Sequence, residues 1–158
     1  MKRVNVEFGI IGGYSYGQTR EVMYVKTPYG EVKGLKIGKL ADQNIAILDR
    51  HGTVHELPPH KINHRANILA FKKIGIKWII SYAAVGSLKE ELEPGDIIIP
   101  HDFLDFSITR YSFWEGGVTS KVRHVDVSSP FCPSIRRALI SAAQKLRVQV
   151  KPHGIYVC

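Results

Sequence analysis

Arg50-His51-Gly52, with His55 just beyond, is a compact group of side chains able to do chemistry. A guanidinium makes bidentate, charge-assisted hydrogen bonds to oxyanions, phosphate above all. Gly12-Gly13 closes a strand-like alternation, and a turn there can aim backbone amides at an anion. Without wider context the same residues fit a surface arginine and two glycines that merely turn the chain. A metal is the competing chemistry. His51 and His55 are four apart, as are His60 and His64, so each pair suits one face of a helix. No cysteine or carboxylate completes either set, Gly52 argues against a helix at the first pair, and His60 follows Pro59 at a helix start. No metal and no cofactor are therefore expected. Cys132 and Cys158 form neither a metal-type pair nor a disulfide framework, and the expected setting is a reduced cytoplasm.

The elements that must position these residues follow from the hydropathy pattern. Val4, Val6, Phe8 and Ile10 alternate as in a strand. Residues 20–26 and 31–37 read as a hairpin around Pro28-Tyr29-Gly30, where proline is preset for the first central position of a turn. Residues 44–48 form a short apolar strand. Pro58-Pro59 then announces a helix whose buried face is Ile62, Ala66, Leu69 and Ala70. Gly75 ends it, with Lys72 and Lys73 in the last turn where positive charge suits the dipole. Residues 77–85 are a nearly continuous apolar run, as in a strand buried on both faces.

Residues 97–99 read as another strand, and 105–130 as irregular. Pro133 opens a second helix with the stripe Ile135, Leu139, Ala142, Ala143 and Leu146. Residues 148–157 read as a closing strand, whose bare edge invites a partner. The pattern is that of an α/β fold, a mixed β-sheet flanked by helices, in a single domain over residues 1–158.

The 158 residues suffice for a real core, and 44% hydrophobic with 23% charged residues is the balance of a globular protein. No apolar run approaches the roughly 20 residues of a membrane-spanning helix, and the first residues do not read as a signal peptide. The net charge is +8. The basic residues are scattered, with no block interleaved with aromatics. That favours a solvated basic surface around an anion site over a nucleic-acid partner.

Four segments resemble the methylthioadenosine phosphorylase branch of the trimeric purine nucleoside phosphorylases. They are Gly9-Ile10-Ile11-Gly12-Gly13; Arg50-His51-Gly52 with His55; Pro58-Pro59-His60-Lys61-Ile62-Asn63 with Arg65-Ala66-Asn67-Ile68; and Ala84-Val85-Gly86-Ser87-Leu88 with Glu90-Glu91, Pro94-Gly95-Asp96 and Asp102-Phe103. Pro130-Phe131-Cys132-Pro133 and Gly154-Ile155-Tyr156-Val157-Cys158 fit the same family. The resemblance runs through the whole chain but spans only somewhat more than half of such an enzyme. It implies a nucleoside phosphorylase-like fold lacking the C-terminal segment.

The same resemblance implies an activity: phosphorolysis of the N-glycosidic bond of a purine nucleoside, with inorganic phosphate as co-substrate, through an oxocarbenium-like transition state. The products are a free purine and a ribose 1-phosphate derivative, as in purine and methionine salvage. The implied phosphate-binding residues are Gly13, Ser15, Arg50, His51 and Ala84. His55 would lie near the ribose, and His124 would reach the 5′ substituent from a neighbouring subunit of a homo-oligomer.

The chain departs from the family at two hydroxyls. Tyr14 stands where the family has Ser or Thr, with Ser15 one place on, and Ala83 stands where a hydroxyl precedes Ala84. Each lost hydrogen bond to a charged group is worth roughly 1.5–3 kcal/mol. The family's purine-binding carboxylate falls beyond Cys158, so no catalytic acid is assignable. Weak or absent turnover is expected of these residues. The alternative is a non-catalytic paralogue acting as an oligomerisation or ligand-binding module.

Overall fold

A glycine-bounded apolar alternation makes Phe8–Gly12 the first strand, β1. In the computed structural model, which describes residues 6–13, 18–108, 111–114 and 122–158, the chain divides into two compact units, Met1–Val85 and Gly86–Cys158. In the first unit, β2 (Gln18–Thr27) and β3 (Gly30–Leu40) form the hairpin, and β4 (Gln43–Asp49) pairs antiparallel with β3. β5 is Trp78–Ser81. The five strands lie in the order β2-β3-β4-β1-β5, with β1 parallel to both β4 and β5.

The helix α1 (His64–Ile74) starts after a separate 3-10 turn at Pro59–Lys61. Asn63 caps it: its side-chain oxygen accepts from the Ala66 amide at 3.0 Å, while its amide nitrogen donates to the Tyr29 carbonyl at 2.6 Å. That one side chain ties the helix start to the hairpin turn. Gly75 ends α1 in the left-handed region at φ 95°, which only glycine adopts at little cost. The helix buries Ala66, Asn67, Ala70, Phe71 and Ile74. Phe71 and Ile74 join Val25, Leu35, Ala46 and Leu48 in one core between α1 and the sheet. Leu69, expected on the buried face, is only half-buried.

The 77–85 run differs from expectation. The strand covers four residues, and Trp78 and Ser81 are exposed while Ile79 and Ile80 are half-buried. Among the described strands β5 pairs with β1, at the end of the five-stranded order, and its burial pattern is not that of a strand covered on both faces.

The second unit carries β6 (Asp102–Leu104), α2 (Pro133–Leu146) and β7 (Ile155–Val157). β6 and β7 pair in parallel, with Phe103 opposite Tyr156. The strand expected at 97–99 reduces to a single bridge between Ile98 and Lys151, and the closing strand of 148–157 to its last stretch. Pro133 does open α2, but Leu146 at the end of its expected stripe is exposed.

Candidate functional site

The carboxyl ends of β1, β4 and β5 come together, because the three strands are parallel and adjacent. β1 has its neighbours in the chain on one side and β5 on the other. The order therefore changes direction at β1, the kind of switch point where open α/β sheets bind ligands. Gly12 and Gly13 follow from β1, Arg50 and His51 from β4, and Tyr82 and Ala84 from β5. The Arg50 amide donates to the Gly12 carbonyl at 2.9 Å and the Tyr82 amide to that of Ile11 at 3.1 Å, so the pairing runs to the very ends of the strands. A Cβ at Gly12 would run into the outer end of the Tyr82 ring, so the ring would have to move to admit one.

The Arg50 side chain is held on two sides. Its Nη1 donates to the Tyr82 carbonyl at 2.9 Å and its Nε to His51 Nε2 at 3.2 Å. His51 Nδ1 lies 2.8 Å from the Leu57 carbonyl. A carbonyl only accepts, so Nδ1 carries the proton and Nε2 presents its lone pair to the arginine. In this arrangement His51 accepts from Arg50 and positions it. Arg50 acts in turn on His64, the first residue of α1, whose pKa is lowered from the ordinary 6.5 by burial first and by the Arg50 charge second.

Between Arg50 and Leu57 the chain folds tightly over itself. Gly52 donates to the Asp49 carbonyl at 3.0 Å and Leu57 to that of His51 at 2.8 Å. Gly52 has φ 87° and His55 φ 59°, both left-handed. The Glu56 carboxylate lies against Gly52, where a Cβ would strike it, and accepts from the Val54 amide at 3.0 Å. This turn brings the His55 ring to 4.6 Å from that of His51, centroid to centroid.

Gly13, Gly52, Thr53, Val54 and His55 line a cavity of about 300 Å³ together with Lys36 and Asp49. Lys36 Nζ lies 2.7 Å from Asp49 Oδ2, and their side chains are only 17% and 7% exposed. Lys36 pairs with Ile47 across β3 and β4, which puts it beside Asp49 two residues further along β4.

Of the residues expected to bind phosphate, the structure gathers Gly13, Arg50 and His51 at one end of the sheet, where β1 and β4 end. Arg50 and His51 are not in the cavity lining, whereas Gly13 and His55 are. Ala84 follows β5 on an exposed stretch. Tyr14 and Ser15 lie outside the described residues. His124 belongs to the second unit, on an exposed stretch with no regular structure. Lys36, Asp49 and Tyr82 are the members of the constellation that the sequence does not single out, and His64 stands out there only as the partner of His60 in a metal-type spacing. A lysine between Leu35 and Ile37, and an aspartate ending an apolar strand just before Arg50, were the available signals.

A family model for the phosphorylase superfamily matches residues 7–158, and the chain belongs to that superfamily. It is 43% identical to S-methyl-5′-thioadenosine phosphorylase of Hyperthermus butylicus, over 98% of this chain and 58% of the relative. It is 44% identical to 6-oxopurine nucleoside phosphorylase of Pyrococcus furiosus, over 94% and 59%. Among solved structures, methylthioadenosine phosphorylase from Schistosoma mansoni in complex with tubercidin matches with a TM-score of 0.87 at 32% identity, over 97% of this chain and 62% of that one. The chain thus spans about three fifths of the length of these relatives.

Proposed function

We propose that this chain forms the phosphate- and ribosyl-binding part of a purine nucleoside phosphorylase most like methylthioadenosine phosphorylase. The observation that carries the reading is the Arg50 guanidinium, held by His51 and the Tyr82 carbonyl where the parallel strands β1, β4 and β5 end. The relatives' names, methylthioadenosine and 6-oxopurine nucleoside phosphorylase, support the substrate class.

In this reading Arg50 and the backbone around Gly13 and Ala84 hold inorganic phosphate against the anomeric carbon. As the glycosidic bond lengthens, positive charge builds on the sugar and the dianion beside it stabilises that charge. A phosphate oxygen forms the new bond to carbon, and the purine leaves with the bonding pair and gains a proton. His55 flanks the sugar, and His124 of a neighbouring copy approaches the 5′ substituent. Ala83 offers no hydroxyl, so phosphate is held less firmly than with a donor there.

The test is an assay of methylthioadenosine, inosine and adenosine side by side on the 158-residue chain, with and without phosphate. Purine release is expected to require phosphate, to yield a pentose 1-phosphate, and to run far below the roughly 10 s⁻¹ of a typical enzyme. Release of free sugar without phosphate would overturn the phosphorylase reading, and turnover at ordinary enzyme rates would overturn the expectation of weak activity.

A further inference from the structure

We infer that Lys36 is an anion ligand of the site, held in reserve by Asp49, and that the pair sets how tightly phosphate binds. The inference rests on the reading of this site as one for inorganic phosphate. Three observations carry it. Lys36 lines the same cavity as Gly13 and His55, and among the described lining residues it is the only ammonium or guanidinium. Its side chain is 17% exposed, so its charge acts in a weakly screened setting. Arg50, the other cation nearby, has three of its five N–H donors left for an oxyanion once Nε is spent on His51 and one Nη1 donor on Tyr82, which leaves room for a second cationic ligand.

The charges oppose one another in a definite way. An ammonium carries three N–H donors, so Lys36 can keep its 2.7 Å bond to Asp49 while donating to an oxyanion in the cavity. Asp49, on the same wall, repels that oxyanion and draws the ammonium toward itself. Lysine therefore raises phosphate affinity and aspartate lowers it, although both belong to one ion pair. The pair adds no net charge, so an unliganded cavity keeps a neutral wall where a lone buried ammonium would be costly.

The experiment is calorimetric titration of inorganic phosphate into the 158-residue chain and its variants, with folding checked by circular dichroism. Lys36→Met is expected to weaken phosphate binding by about tenfold or more, as for loss of a hydrogen bond to a charged group. Asp49→Asn is expected to tighten it. A purely structural ion pair would move both variants in the same direction or neither, and that result overturns the inference. Each single change strands a buried charge. If one fails to fold, the Lys36→Met/Asp49→Leu double variant decides against the other: it should bind phosphate more weakly than Asp49→Asn and more tightly than Lys36→Met, and equal affinity overturns the inference. Loss of binding in Arg50→Met but not in Lys36→Met would remove Lys36 from the site and leave the phosphate reading intact. A wild-type chain that binds no phosphate overturns both.

Discussion

The Nε–H of Arg50 points at Nε2 of His51, 3.2 Å away, and the far nitrogen of that imidazole is anchored on the Leu57 carbonyl at 2.8 Å. The histidine thus holds the arginine in one rotamer through a chain that starts on the backbone. Hydrogen bonds to charged groups contribute about 1.5–3 kcal/mol. His51→Ala is expected to weaken phosphate binding about tenfold, and His51→Gln, which restores an acceptor, to recover part of it. Phosphate titration of the two variants checks this.

The buried Lys36–Asp49 pair makes a prediction about stability. Removing one partner of such a pair costs about 3–5 kcal/mol, while replacing both by apolar residues is often neutral. Urea denaturation should show Lys36→Met strongly destabilised and Lys36→Met/Asp49→Leu close to wild type. Equal losses in the two variants would contradict the account.

Asn63 serves two structures at once, so its variants should separate them. Asn63→Ala loses the cap of α1 and the bond to Tyr29 and is expected to cost about 1–2 kcal/mol. Asn63→Asp keeps an acceptor for the Ala66 amide but loses the donor to Tyr29, so its thermal midpoint should fall between those of wild type and Asn63→Ala.

His64 gives the stability of the fold a dependence on pH. Its folded-state pKa lies below the ordinary 6.5, from burial and from Arg50. The unfolded chain therefore binds the proton first as pH falls through about 6.5, and stability declines from there down to the folded-state pKa. Above about 6.5 both states hold it neutral and the penalty is absent. His64→Gln should flatten the melting-temperature profile between about pH 7 and pH 5, to a small extent because the residue is only partly shielded from water.

Much of the scaffold was legible in local patterns. The Pro28-Tyr29-Gly30 turn, the apolar stretch before Arg50, the glycine at the end of α1 and the proline at the start of α2 all mark their elements, because turn and cap chemistry is local. The status of β5 was not legible. Trp78 to Ser81 has the composition of an interior strand, and only the strand order places it last among the described strands. The helix start was misplaced because Pro58-Pro59 opens a 3-10 turn and the cap is Asn63. At the site, Arg50 and Gly13 stood out by type and by resemblance. Lys36 did not, because its significance comes from the register of β3 against β4, which sets it beside Asp49.

The central claim is that Arg50 grips phosphate at the end of β4. Its most direct test is equilibrium binding of inorganic phosphate to wild type and Arg50→Met at low ionic strength, followed by calorimetry. Saturable binding to wild type that weakens by tenfold or more in the variant, given the roughly 1.5–3 kcal/mol of a hydrogen bond to a charged group, is the predicted result. Equal affinity in the two proteins, or no binding to either, would contradict it.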